Sequence, residues 1–237
     1  MILIIVTILT GKNFMKKLLL LIILSPLIVL GQTDCLKSIK LGNVDVCIPL
    51  IEGMTEAYSN TIVKKISDSF KYSDDELIFA IYMTDENLEY EKILDNGLAY
   101  PLYKLYGNKK FIDLDFSKEL FDRFKVSIKK TLGEDLSEIV NKVNGKLRAI
   151  ENISNINLDK PVLIDSYDTN TKSNTNTLLM KVISEGEKLT VVANITVFLI
   201  KKRIIFYANY NNYNGIESVE KTNNQTNYFI KKIFSVN

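Results

Sequence analysis

The chain contains no histidine, which removes the side chain that most often serves as acid, base or zinc ligand near neutral pH. Ser-His-Asp, Cys-His and His-metal chemistries are therefore excluded. Ser127-Ile128-Lys129-Lys130 has the S-x-x-K spacing in which a lysine can activate a serine hydroxyl. Its companion S-D-N and K-T-G motifs are missing, and Ser127 falls inside an amphipathic helical pattern rather than at an exposed helix start, so the match reads as chance in a Lys-rich helix. Asp168-Thr169-Asn170-Thr171-Lys172-Ser173-Asn174 begins like a calcium loop, with alternate oxygen-bearing side chains. It fails at three points: Lys172 replaces an oxygen ligand, the glycine is absent, and Leu179 stands where a bidentate Glu is required. A polar hairpin loop is the better reading. The acidic stretch Asp85, Glu86, Glu89, Glu91 and Asp95 could collect a divalent ion or a basic partner, although such runs more often form a solvated face. No metal site, cofactor or catalytic residue is expected.

Two tyrosine groups are the remaining candidates for recognition, one around Tyr100, Tyr103 and Tyr106 and one at Tyr207, Tyr210 and Tyr213 within an Asn-dense run. Aromatic rings with polar tips at strand ends suit a binding surface for carbohydrate or peptide, and rim packing around a sheet is the plainer alternative. Tyr103, Tyr106, Tyr207, Tyr210 and Tyr213 are taken as the candidate binding surface. Cys35 and Cys47 are the two cysteines of the chain. They lack the C-x-x-C spacing of a redox pair, and a structural disulfide is expected between them in an oxidising compartment. Such a bridge would stabilise the fold by about 3 kcal/mol in the chain-entropy model.

That compartment is read from the first residues. Met15-Lys16-Lys17 gives a charged start, Leu18–Leu30 an apolar stretch of 13 residues interrupted by Pro26, and Val29-Leu30-Gly31 a small-residue cleavage site before Gln32. We expect translation to begin at Met15 and residues 1–31 to act as a cleaved signal peptide. The run is too short for a spanning helix, which needs about 20 apolar residues, so no stable membrane span is expected after cleavage. Removing residues 1–31 from the 237 leaves 206, enough for one domain over 32–237. The leader takes Lys12, Lys16 and Lys17 with it, leaving 27 basic against 28 acidic residues. A near-neutral body whose longest basic run is Lys201-Lys202-Arg203 lacks the basic face of a nucleic-acid binder.

The elements that would position these residues follow from periodicity. Leu36–Leu41 and Val44–Ile48 alternate around Gly42-Asn43, a hairpin or adjacent strands. Ile62, Val63, Ile66 and Phe70 recur at helical spacing, with Ser59 or Asn60 as cap. Leu77–Met83 is continuously apolar and reads as a buried, central strand. Residues 85–101 form a polar excursion, and Tyr103–Leu114 a strand with a bulge or turn at Gly107-Asn108. Asp115 is the expected N-cap of a helix striped by Leu120, Phe121, Phe124 and Ile128 and ending at Gly133; a further helical stripe runs through 134–150. An antiparallel meander follows: Val162–Tyr167, a loop over Asp168–Asn176, then Thr177–Ser184, Leu189–Ile200 and Arg203–Tyr210. Within it Val191, Ala193, Ile195 and Val197 would face the core, with Thr190, Val192, Asn194 and Thr196 on a partly wet side. Gly215 introduces a closing helix.

Segregated helices and hairpin-connected strands make this an α+β domain built on an antiparallel sheet flanked by helices. The order resembles the PsbP-like α/β/α sandwich, which includes the DcrB-type bacterial periplasmic proteins. The likeness is carried by the Val44-Asp45-Val46-Cys47-Ile48-Pro49 strand with its first helix, the Lys160-Pro161-Val162 strand entry, the Leu189–Tyr210 hairpin and the closing helix. The chain departs from the pattern in having Lys201-Lys202 where an Asn-Gly turn is expected and in the extra helical segment at 134–150. The resemblance implies an accessory or binding module rather than an enzyme. The expected function is therefore that of an exported, periplasmic or secreted non-enzymatic module with a protein or small-ligand partner. A periplasmic protein binding a small ligand or an ion is the second reading, and a hydrolase using carboxylates alone the third.

Overall fold

A computed structural model describes residues 34–89, 100–133, 140–141, 144–145, 157–184 and 187–237. The expected leader over 1–31 and most of the helical segment at 134–150 lie outside the described residues, as do 90–99 of the polar excursion. Strands β1 (Cys35–Leu41) and β2 (Val44–Pro49) form a two-stranded sheet. An eight-stranded sheet is made by β3 (Thr55–Glu56), β4 (Glu76–Met83), β5 (Leu102–Asn108), β6 (Asn157–Leu158), β7 (Val162–Asn170), β8 (Ser173–Ser184), β9 (Glu187–Ile200) and β10 (Arg203–Asn212). Its order is β3-β4-β5-β10-β9-β8-β6, with β7 also pairing β8, and every pairing is antiparallel. Among the described residues it is accompanied by helices α1 (Thr61–Ser69), α2 (Lys118–Gly133) and α3 (Ile216–Ser235). The α+β class is as the sequence led us to expect.

Alternation along the strands sends neighbouring side chains to opposite faces, and each face is covered. On one face Phe198, Ile200, Ile205 and Tyr207 pack with Phe229, Ile230 and Ile233 of α3 and with Val46 and Ile48 of β2. The Tyr82 hydroxyl donates to the Pro49 carbonyl at 2.6 Å and joins β4 to the end of β2. On the other face Val63 and Ile66 of α1 meet Ile78, Ile81 and Leu102, while Phe121, Phe124 and Ile128 of α2 meet Val197, Leu199, Ile204 and Phe206. Burial on both faces explains why Leu77–Met83 reads as a continuous apolar run. That strand is not central, however: β4 lies next to the two-residue β3 at one side of the sheet, and β10 takes the middle.

Local chemistry sets the ends of the elements. Asn60 caps α1, its side-chain oxygen accepting from the Ile62 and Val63 amides. For α2 the capping oxygen is Ser117 Oγ, which accepts from the Leu120 amide at 3.2 Å. Asp115 was the expected cap, but its carboxylate is engaged by the Arg203 guanidinium. Arg203 is buried and also donates to the Leu41 carbonyl and to Asn43 Oδ1, so one side chain joins the β1–β2 turn to the start of β10. Gly42 sits at φ +61°, and a Cβ there would meet Asp113 Oδ1 at 2.9 Å. The β9–β10 turn places Lys201 and Lys202 at φ +47° and +64°, conformations that glycine or asparagine adopts more readily. Lys201 Nζ donates to the Asp45 carbonyl across to β2.

Two expected boundaries move. The strand from Tyr103 ends at Asn108 rather than Leu114, and 109–117 is turn and coil. Gly107 stays within the strand because the Phe79 ring lies over it, where a Cβ would come within 2.6 Å; the irregularity sits opposite, between Ile78 and Ala80. The loop expected over Asp168–Asn176 shrinks to Thr171-Lys172, with β7 continuing to Asn170 and β8 beginning at Ser173. Neighbouring strands supply the pairing that these polar side chains do not advertise. The Cys35–Cys47 disulfide is formed.

Candidate binding groove

Asp122, Lys125, Val126 and Lys129 recur at helical spacing and so share one face of α2. That face borders an open groove of about 440 Å³, closed on its other side by Ser166, Tyr167 and Asp168 of β7 and Asn174 of β8. Lys125 is its electrostatic centre. Its Nζ lies 3.1 Å from Asp122 Oδ1 and 3.0 Å from Asp168 Oδ2, with the ring of Phe121 beneath it at 5.4 Å. Partial burial works against the charge, but the two carboxylates outweigh it and raise the Lys125 pKa. Asp168 is held from behind by Asn174, whose amide donates to Asp168 Oδ1 at 2.9 Å and to the Tyr167 carbonyl at 3.2 Å.

Asp122 and Asp168 share one ammonium and therefore stand within about 6 Å of each other, inside the range of a carboxylate pair in glycoside hydrolysis. Acid–base work of that kind needs two carboxyl groups in unlike environments. Here both are about half exposed, and the ammonium occupies the space between them. The chemistry of this arrangement is ion pairing at an open surface.

Other candidate residues fall elsewhere. Ser127 and Lys130 are exposed on α2. Asp168 and Asn174 belong to paired strands, not to an ion-binding loop. Asp85 accepts from Thr55 Oγ1 at 2.5 Å beside a short helical turn, while Glu91 and Asp95 lie outside the described residues. Among the described residues no three acidic or cysteine side chains converge as a metal site.

The tyrosines do not share a surface. Tyr103 and Tyr207 are buried on the α3 face, ring to ring at 5.8 Å. Tyr106 is buried on the opposite face, stacked on Phe206 at 5.3 Å. Tyr210 is half-buried on that same side, packed against the α1 cluster. Tyr213 lies just beyond β10, its amide bonded to the Thr190 carbonyl. Burial pushes the Tyr103 hydroxyl up to about 12 and those of Tyr106 and Tyr207 well above their ordinary value. Tyr103, Tyr106, Tyr207 and Tyr210 are packing residues of two separate layers, as the plainer reading has it.

Two polar features had no counterpart in the sequence reading. Lys104 and Glu76 form a buried ion pair between β5 and β4, with the Lys104 ammonium 4.9 Å above the Tyr106 ring. Desolvation lowers the Lys104 pKa, and Glu76 pulls it the other way. The phase that Lys104 shares with Leu102 and Tyr106 was the available signal. The second is a layer of hydroxyls and amides beneath α3, in the rows of Thr196, Asn194 and Asn209. Strand alternation predicts a partly wet side for Asn194; it is fully buried because α3 closes over it.

No family model matches the chain, and no curated protein matches it. Among solved structures, it is similar to a point mutant of the protein Mog1, with 10% identity over 84% of this chain and 93% of that one and a TM-score of 0.33. It is also similar to the Saccharomyces cerevisiae Ran-binding protein Mog1p, at 9% identity, 84% and 92% coverage and a TM-score of 0.31. Likenesses of this size carry no argument about fold or partner.

Proposed function

We propose that the protein is an exported, non-enzymatic accessory or binding module, a PsbP-like α/β/α sandwich that works in the periplasm or outside the cell. It takes a protein partner through the α2–β7 groove. The observation that carries this reading is the groove itself: it is open, it mixes paired charges with the 70% exposed Val126, and it does not enclose a volume as small-molecule pockets do. Surfaces of that kind suit an exposed segment of another chain, with Val126 as the apolar contact and Lys129 at the charged rim. Export is supported by the leader pattern of residues 15–31 and by the Cys35–Cys47 disulfide, a bond that persists in oxidising compartments. The lack of imidazole and the ion-paired Asp122–Lys125–Asp168 arrangement favour binding over hydrolysis.

The test is cross-linking in the exported fraction, comparing the natural chain with Val126→Glu and Lys129→Glu. A partner that cross-links to the natural chain and is lost in both variants, with melting temperature unchanged, is the expected result. Equal cross-linking in all three proteins would remove the groove from the account. Turnover of a glycoside by the natural chain, abolished in Asp168→Asn, would replace binding by catalysis.

A further inference from the structure

Helix α3 meets the sheet in two chemically different ways. Its last two turns press Phe229, Ile230 and Ile233, all buried, onto Phe198 and Tyr207. Its first three turns rest on polar groups. Asn194 Nδ2 donates to Asn223 Oδ1 at 2.8 Å and to Thr226 Oγ1 at 3.1 Å; Asn209 Nδ2 donates to Thr226 Oγ1 and to the Thr222 carbonyl, both at 3.2 Å. Asn211 reaches Gln225 at 2.9 Å. At the rim Tyr167 and Thr169 of β7 donate to Asn223 and Asn227.

This layer is incompletely satisfied. Among the described residues Thr177 Oγ1 and Asn194 Oδ1 are buried without a protein partner. The strand register puts them side by side, Thr177 opposite Asn194. Buried polar atoms regain most of their lost hydration when a covering element lifts, whereas apolar atoms lose by it. The helix is also weak where the layer lies. Thr222, Asn223, Asn224, Thr226 and Asn227 are poor helix formers. The N-cap is Gly215, which offers no side-chain bond, and Thr222 Oγ1 bonds back to the Ser218 carbonyl at 2.7 Å.

We propose that Ile216–Thr226 opens from the sheet as a unit, a lid hinged at Asn227-Tyr228, while Phe229–Ser235 stays packed. The lid uncovers a row of neutral donors and acceptors, including Thr175, Thr177, Asn194 and Asn209. Opening is therefore an exchange of hydrogen bonds with water and costs little burial of apolar surface beyond Val219.

Hydrogen exchange on the full-length, disulfide-bonded protein, read residue by residue under conditions where closing outpaces exchange, tests this. The expected result is a shared protection level across Val219–Thr226 at least about tenfold below that of Ile230–Ser235, with a step between them. A smooth rise from residue to residue would be ordinary end fraying, and equal protection along the helix would mean one rigid block; either overturns the proposal. Tyr167→Phe removes a rim bond, and Asn194→Ala removes two bonds from the sheet side without altering helix propensity. In each, exchange should quicken several-fold in Val219–Thr226 and stay unchanged in Ile230–Ser235. Equal acceleration of both segments in Tyr167→Phe, the milder change, would also contradict a separate lid.

Discussion

The two ends of the layer between α3 and the sheet are built from the same secondary structure and opposite chemistry. At one end the Tyr207 and Phe229 rings lie almost parallel, 3.9 Å between centroids, with Phe198 stacked against Phe229 at 6.3 Å. At the other, Asn194, Asn209 and Thr226 are just as deeply buried but meet through hydrogen bonds. Apolar burial is non-directional and gains with every methylene removed from water. An internal hydrogen bond adds only about 1 kcal/mol net, although losing one partner costs the full desolvation of the other. Equal burial therefore does not mean equal stabilisation: the aromatic end fastens the domain, and the amide end fixes where α3 sits.

Substitutions at the two ends should separate these roles. Phe229→Ala, at 0% exposure, is expected to cost about 3–5 kcal/mol, as deletions of buried aromatic rings do, and to lower the urea midpoint accordingly. Thr226→Val keeps shape but strips the acceptor shared by Asn194 and Asn209, for a loss of about 1–3 kcal/mol. If the two variants lost equal stability in urea denaturation, the contrast drawn above would fail.

Alkaline titration probes the aromatic end without mutation. Burial holds the Tyr103 hydroxyl at about 12, against about 10 in an unfolded chain. The neutral form is thus favoured by folding, a contribution fully present below about pH 10 and lost as pH rises through about 12. Stability measured between those limits should fall with increasing pH, and Tyr103→Phe should flatten the slope. The smallest effect is expected at the β9–β10 turn beyond the aromatic end. Lys202→Gly relieves a lysine at φ +64° and should raise stability by about 1 kcal/mol; a loss would show that the Lys202 side chain contributes more than its backbone costs.

Much of the frame was legible because it rests on period. The alternation through Leu189–Tyr210, the Asn60 cap and the stripe of Leu120, Phe121, Phe124 and Ile128 each specify an element by local pattern. Positions decided by a distant partner were not. Asn194 and Asn209 look like solvent-facing strand residues until α3 supplies Asn223 and Thr226, and Asp115 looks like a cap until Arg203 engages it. The same limit applies to the groove. Asp168 and Asn174 stand out in the sequence for their side-chain oxygens, but the residue that gives them their role, Lys125, is 43 positions from Asp168. Aromatic spacing misled for the same reason: Tyr103 and Tyr106 fall on opposite faces of one strand because an odd separation reverses the side chain.

The intact mass of the native protein, taken from the exported fraction before and after reduction, bears most directly on the account of an exported, disulfide-fastened body. A chain beginning at Gln32 that gains two hydrogens on reduction, one for each of Cys35 and Cys47, is the predicted result. A chain that retains the leader and carries two alkylatable thiols before reduction would contradict it.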